Sequence, residues 1–303
     1  MLDDLKMIHE RDAQDALGVA GRQWEQLKKT YETRHGFTAE TIENVVVAGL
    51  GGSALAAEYI KSWPKVMRPF EIVRDYSLPN YVGTGTLFIA SSYSGNTEET
   101  LSALREAQSR DCQIVVIAAG GELQKIATEK NYPFYQLPAD FQPRMAALYN
   151  LSALIHILEP TGLIGEGKLA ELQATGDWLK DQLTVFAADT PTAQNPAKQL
   201  AQEMMGSSPV VYGSTVTYPV AYKWKISFNE NAKNVAWYGV YPEFNHNEFL
   251  GWSSHPVDKP YKVVDLRSSF DHSQVQKRFE ISDLLLSGKR PAAHVVELRG
   301  ETL

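Results

Sequence analysis

Short apolar runs alternate with polar, helix-patterned stretches along most of this chain. Val45-Val46-Val47-Ala48, Phe70-Glu71-Ile72-Val73, Leu87-Phe88-Ile89-Ala90 and Ile114-Val115-Val116-Ile117 each read as a strand, and Pro133-Phe134-Tyr135-Gln136-Leu137 as a shorter fifth. Strands separated by helical segments predict right-handed βαβ units and a parallel sheet. Ahead of this pattern, residues 1–40 are polar-rich, amphipathic and expected to be helical. Behind it, residues 143–186 read as helices with no strand among them. A second α/β pattern starts near Asn195, with strands at Pro209-Val210-Val211-Tyr212-Gly213-Ser214, Tyr261-Lys262-Val263-Val264-Asp265-Leu266 and His294-Val295-Val296-Glu297-Leu298, and a helix over 278–285. The expected class is α/β, with two domains that are each a parallel β-sheet flanked by helices. The expected ranges are a helical segment over 1–40, a first domain over 41–150, a helical bridge over 151–194 and a second domain over 195–303. The two halves repeat a strand–Gly–hydroxyl logic, which suggests an internal duplication despite slight residue identity.

Composition narrows the function classes. With 303 residues and 44% apolar side chains, the chain can bury two real cores. It carries 29 basic and 36 acidic residues, a formal charge of −7, and has no basic runs, so neither a nucleic-acid nor a membrane partner is expected. An anion would then be bound locally, by oriented amides and hydroxyls. Cys112 is the sole cysteine, which excludes an intrachain disulfide and fits a reducing compartment; it reads as filler ahead of the fourth strand. Met1-Leu2-Asp3-Asp4-Leu5-Lys6 is mixed and charged, unlike a signal peptide. No apolar run approaches the roughly 20 residues that span a bilayer. A soluble, cytoplasmic protein is expected.

The densest chemistry lies in Ser91-Ser92-Tyr93-Ser94-Gly95-Asn96-Thr97-Glu98-Glu99-Thr100. This stretch joins a strand to a helix start. Helix N-terminal amides lack intrahelical partners and carry partial positive charge, and the hydroxyls of Ser and Thr add donors, so the turn suits a phosphate. Ordinary capping is the simpler alternative, since Ser, Asn and Thr are also favoured N-caps. Gly49-Leu50-Gly51-Gly52-Ser53-Ala54 likewise follows a strand and opens a helix. It fits a dinucleotide fingerprint with Ala in the third position, and Asp75 could serve as the ribose acid. Two cradles at one sheet edge, one rich in Gly and one in hydroxyls, suit a compact phosphomonoester with a polar body instead.

A second dense region holds Phe228-Asn229-Glu230-Asn231-Ala232-Lys233 and Tyr241-Pro242-Glu243-Phe244-Asn245-His246-Asn247-Glu248. Carboxylate and imidazole are the common proton carriers near neutral pH, and flanking Asn residues can orient them. An exposed polar loop has the same composition. A metal set of His246, Glu248 and His255 lacks tight helical spacing and a Cys partner, so no metal is expected. Pro143-Arg144 opens a helix after the first α/β half, where Arg either pairs with an anion or is simply solvated.

Together these segments resemble the bifunctional phosphoglucose/phosphomannose isomerases, dimers built of two sugar-isomerase (SIS) domains. The resemblance rests on the 49–53, 92–97, 143–144, 229–233 and 245–248 segments, in the family's order and approximate spacing. It implies two SIS-type domains and an aldose–ketose isomerase that interconverts glucose 6-phosphate, and mannose 6-phosphate, with fructose 6-phosphate through a cis-enediolate. It implies that Gly51, Gly52, Ser53, Ser92, Ser94 and Thr97 hold the sugar phosphate. Glu230 matches the family's base, Arg144 its enediolate-stabilising arginine, and His246 the ring-opening histidine donated across a homodimer interface. No metal or organic cofactor is implied. Two departures stand out. Ala54-Leu55-Ala56-Ala57-Glu58 replaces the family's small residues and Asp after the Gly turn. The second domain, stopping at Arg299-Gly300-Glu301-Thr302-Leu303, is expected to lack the family's closing helix and its lysine. These departures keep open a non-catalytic SIS regulator that binds a sugar phosphate, and the Gly turn with Asp75 keeps open a nucleotide-dependent oxidoreductase.

Overall fold

The computed structural model describes residues 2–32, 35–253 and 260–300. They form two compact units, Met1–Lys198 and Gln199–Leu303.

The first unit opens with three short helices, α1 (Leu5–Arg11), α2 (Ala16–Gly21) and α3 (Gln23–Leu27). The helical expectation for 1–40 therefore holds only in pieces. Acidic side chains divide it: Asp4 caps α1 through the Met7 N–H, Asp12 takes the amides of Ala16 and Leu17, and Asp15 caps α2 through the Gly18 N–H. Only α3 buries residues, Gln26 and Leu27.

Then follow β1 (Asn44–Ala48), α4 (Gly51–Ser62), β2 (Phe70–Val73), β3 (Thr86–Ser91), α5 (Glu98–Ser109), β4 (Gln113–Ala118), α6 (Gly121–Lys130) and β5 (Phe134–Gln136). The strands are parallel, in the order β2-β1-β3-β4-β5. All six residues of β3 are buried, as expected for a parallel strand covered on both faces. Successive side chains alternate between faces. Val45, Val47, Leu87 and Ile89 pack with α4 and α7 (Ala147–Leu158), whereas Val46, Ala48, Phe88 and Ala90 pack with α5 and α6. The run Ala54-Leu55-Ala56-Ala57-Glu58 is buried on α4, and Glu58 accepts from Arg74 Nη2 at 2.5 Å. α7 is buried over almost its whole length, and α8 (Lys168–Gln182) follows it within this unit. Cys112 precedes β4 and is half-buried, and burial pushes its thiol up to about 11.

α9 (Pro196–Met204) leads into β6 (Ser208–Gly213), α10 (Tyr218–Glu230), β7 (Trp237–Val240), α11 (Glu248–Ser253), β8 (Tyr261–Ser268), α12 (Ser273–Leu285) and β9 (Ala293–Leu298). The second sheet is parallel with order β7-β6-β8-β9, which repeats the order of the first four strands of the first unit. β7 escaped the apolar-run pattern because it is a four-residue edge strand that includes Gly239 and leaves Trp237 exposed. Among the described residues no helix is long and apolar enough to cross a membrane.

The second core contains a charge. Asp265 on β8 is fully buried beside Arg267 (3.2 Å), which also reaches Asp283 (2.7 Å). Loss of water, only partly offset by Arg290, pushes its carboxyl up to about 6. Below about pH 4 both folded and unfolded states hold the proton, and the group has no effect. Between about pH 4 and 6 only the folded state holds it, so stability falls as pH rises. A carboxyl raised from its ordinary value to about 6 costs about 3 kcal/mol of stability above that pH. Denaturant titrations of the protein and of Asp265→Asn should therefore diverge in the variant's favour by up to that amount between pH 4 and 7; a constant gap would contradict the assignment.

Candidate functional site

Strand order in the first sheet reverses between β1 and β3. The helix after β1 packs on one face and the helix after β3 on the other, which opens a crevice at the carboxyl ends of the strands. Sheets with this 2-1-3-4-5 order bind their ligands there. Residues 49–53 and 92–97 are the two turns bordering that crevice.

The first turn is narrow for three separate reasons. Gly51 has φ +52°, in the left-handed region. A Cβ on Gly49 would stand 2.6 Å from the Ser91 carbonyl oxygen. A Cβ on Gly52 would stand 2.7 Å from the Pro143 carbonyl oxygen and 3.8 Å from Arg144 Cα. Pro143–Met145 is a single 3₁₀ turn ahead of α7, and its backbone rests directly on Gly52. That close approach is what brings Arg144 to the same edge as the two turns.

The hydroxyl loop does more than cap. Thr97 precedes α5, yet its side chain makes no capping hydrogen bond; Thr97 Oγ1 lies 2.7 Å from Ser92 Oγ. Ser92 Oγ is also 3.4 Å from Ser94 Oγ, which accepts from the Asn96 N–H at 3.2 Å. Leu50, ahead of α4, has no capping side chain either. Two helix N-termini therefore meet the crevice without a side-chain acceptor on their first amides. Ser53 Oγ accepts from the Tyr93 N–H at 3.2 Å, which joins the two turns and leaves the Ser53 O–H to donate. Ser53 and Ser92 are buried, Thr97 and Gly52 half-buried, and Ser94 and Gly51 exposed. The arrangement offers neutral and partially positive donors to a small anion.

Three supports had not been read from the sequence. Gly95 and Gly121 have φ of +70° and +75°, and the loop 92–97 lies against the Gly120-Gly121 turn so closely that a Cβ on Gly95 would be 1.8 Å from the Gly120 carbonyl oxygen. Asn96 Oδ1 accepts from the Glu122 N–H of α6 at 2.9 Å. Gln26 on α3 donates to the Met145 carbonyl (2.7 Å) and accepts from the Tyr149 N–H (3.3 Å), so it fixes the turn carrying Arg144. The Gly pair after the fourth apolar run marks the first of these; Gln26 carries no local signal. Asp75 is exposed, and its carboxylate accepts from the Tyr76 N–H at 2.7 Å. The strand order also departs from the 3-2-1-4-5-6 order of dinucleotide-binding folds.

The second unit has the corresponding crevice between β6 and β8, and a side chain of its own fills it. Asp271, nearly fully buried, accepts from Ser214 Oγ and, at 3.0 Å, from the Ser268 N–H. Ser214 Oγ in turn accepts from the amides of Val216 (3.0 Å) and Thr217 (3.1 Å).

Glu230 and His246 also belong to this unit. Glu230 is the last residue of α10, which returns from the carboxyl end of β6 to the start of β7. His246 ends the 3₁₀ turn Glu243–His246 that follows β7. The two lie beyond opposite ends of β7, whose four residues span roughly 13 Å. Both are exposed. The neighbouring asparagines hold the turns: Asn229 donates to the Asn234 carbonyl (2.9 Å), Asn245 bridges Ser282 (3.0 Å) and Arg278 (3.2 Å), and Asn247 donates to Glu243 (2.8 Å). Glu248 accepts from Tyr212 Oη at 2.9 Å. His255 lies outside the described residues.

If the contact of the 92–97 loop with Gly120 shapes the crevice, Gly95→Ala should be costly. It adds left-handed strain of roughly 1–2 kcal/mol and a backbone clash. Gly83 has open space, so Gly83→Ala should be neutral or slightly stabilising. Equal denaturation midpoints for the two variants would contradict this picture.

Comparison with known proteins bears on what this frame is for. Residues 41–139 match the SIS domain family, and residues 193–303 match the family described as the bacterial phospho-glucose isomerase C-terminal SIS domain. A bifunctional phosphoglucose/phosphomannose isomerase from Caldicellulosiruptor bescii is 35% identical over 87% of this chain and 80% of its own length. A D-glucosamine-6-phosphate 4-epimerase from Sulfolobus acidocaldarius is 32% identical over 80% of this chain and 75% of its own. Among solved structures, the C-terminal domain of glucosamine-fructose-6-phosphate aminotransferase from Francisella tularensis shares the fold, with a TM-score of 0.66, 13% identity, and coverage of 92% of this chain and 81% of that one. Two parallel-sheet domains, matching families in both halves and a relative this similar over most of both chains lead to one assignment: the chain belongs to the bifunctional phosphoglucose/phosphomannose isomerase family.

Proposed function

We propose that this protein interconverts glucose 6-phosphate and mannose 6-phosphate with fructose 6-phosphate. The observation that carries the reading is the crevice at the β1/β3 reversal, where two helix N-termini without capping side chains meet a cluster of hydroxyls. The phosphate sits against the amides of Gly51 and Gly52 and the hydroxyls of Ser53, Ser92, Ser94 and Thr97. Neutral donors suffice, because oriented amides bind an anion without a net positive surface.

The reaction then needs three things: an open chain, a base at C1 and C2, and charge stabilisation on the enediolate oxygens. Glu230 takes the proton from C1 of the open-chain ketose and returns it to C2. Delivery to one face of C2 gives the glucose series and delivery to the other gives the mannose series. Arg144 stabilises the oxyanion as negative charge builds on oxygen. His246 assists ring opening. Glu230 and His246 stand beyond opposite ends of one strand, which supports a homodimer in which a second copy of the chain supplies His246. A lone, half-buried Cys112 supports a cytoplasmic location. No cofactor takes part in this scheme.

Purified protein given fructose 6-phosphate without added metal should produce both glucose 6-phosphate and mannose 6-phosphate. Tight binding without product would indicate a regulator. Conversion of D-glucosamine 6-phosphate at C4 with no ketose turnover would place the chain with its epimerase relative. Glu230→Gln keeps size and removes the base, so kcat should fall about 10²–10⁴-fold while fructose 6-phosphate binding, measured by calorimetry, survives. An active Glu230→Gln variant would exclude this base.

Mixing tests the shared site. Glu230→Gln and His246→Ala homodimers, each impaired, should regain activity when subunits exchange, since a heterodimer holds one complete site. Lack of recovery after exchange verified by mass would count against donation of His246 between copies.

A further inference from the structure

We propose that Tyr93 is a positioning residue for Arg144, joining the phosphate turns to the arginine through its phenol. The inference rests on the role given to Arg144 above. Tyr93 sits in the middle of the hydroxyl loop, where a polar sequence offers no obvious use for a large aromatic side chain. The structure gives every polar group on it a partner. Its N–H donates to Ser53 Oγ (3.2 Å), and its carbonyl accepts from the Ala119 N–H (2.9 Å). Its ring is buried in the core that holds α4 and α7. Its Oη donates to the Pro138 carbonyl (2.7 Å) and accepts from the Phe141 N–H (2.9 Å).

Residues 138–141 run directly into the Pro143–Met145 turn. Tyr93 therefore grips the arginine's turn on its upstream side, as Gln26 grips it downstream at Met145. The third point is the contact of the Pro143 carbonyl with Gly52. Burial pushes the Tyr93 phenol up, so it stays neutral and keeps the O–H that the Pro138 carbonyl needs. One side chain thus ties the element that holds the anion to the element that stabilises the transition state. A fixed spacing between the two matters, because a displacement of about 1 Å at a reacting group can cost on the order of 10²-fold in rate.

Tyr93→Phe removes only the phenol oxygen. The main-chain bond to Ser53 and the ring packing remain, so the phosphate turns should keep their shape. Under conditions where the variant is folded by circular dichroism, kcat with fructose 6-phosphate should fall about tenfold to a hundredfold. KM, and competitive inhibition by inorganic phosphate, should stay within about twofold. In an Arg144→Ala background the same change should have no further effect on kcat, since the group it positions is gone. A merely structural role would lower kcat by the same factor in both backgrounds, and that result would overturn the proposal. So would a wild-type kcat for Tyr93→Phe alongside an impaired Arg144→Ala, or a loss confined to phosphate inhibition. Full activity in Arg144→Ala alone would instead overturn the role of the arginine itself.

Discussion

The contact between Gly52 and the Pro143 carbonyl is the constraint on which the first unit's edge depends. It follows from topology. Because strand order reverses at β1 and β3, α4 and α5 leave toward opposite faces, and their N-termini are left side by side. A chain that returned to this edge would normally be kept away by side chains. Glycine at 52 lets the 143–145 turn rest on the helix start, and a long apolar helix, α7, anchors that turn in the core behind. Three buried polar side chains secure it: Gln26, Tyr93, and Asn150, which donates to the Ala146 carbonyl at 3.2 Å and lies 3.0 Å from Ser91 Oγ. Buried polar groups of this kind are expensive to leave unpaired, so they specify one arrangement.

The second unit carries the same topology with a different set of partners at its crevice. Its strand order repeats that of the first, and its β6–α10 turn again places serine and threonine at a helix start. There the carboxylate of Asp271 accepts from Ser214 Oγ and the Ser268 N–H, and Thr217 Oγ1 donates to the Leu266 carbonyl. The unit's distinctive groups, Glu230 and His246, sit instead on the two turns that flank an edge strand. The two sheets thus share one strand order, with a buried carboxylate at the crevice of the second and, among the described residues, none in the hydrogen bonds of the 92–97 loop in the first.

Much of this was legible in the sequence. The apolar runs stood out because parallel strands covered on both faces are continuous in hydrophobicity, and the two turns of the first crevice follow such runs directly. β7 was not legible, since an exposed edge strand carries no such run. The first forty residues have helical periodicity, but Asp12 and Asp15 take backbone amides and break it, a competition that periodicity does not register. The sequence left Arg144 open between solvent and ligand, and nothing local in it announces the long-range approach of Gly52 that puts the backbone of the 143–145 turn beside the first helix start. Gln26 and Tyr93 belong to the same class: their partners lie 119 and 45 or more residues away, and no local pattern announces such pairs.

The most direct test of this account is a crystal structure of the protein with fructose 6-phosphate bound. The phosphate should lie at the β1/β3 reversal, within hydrogen-bonding distance of the amides of Gly51 and Gly52 and the hydroxyls of Ser53, Ser92, Ser94 and Thr97, with Arg144 facing the sugar oxygens. A sugar phosphate seated elsewhere, including the Ser214 turn of the second unit, would contradict it.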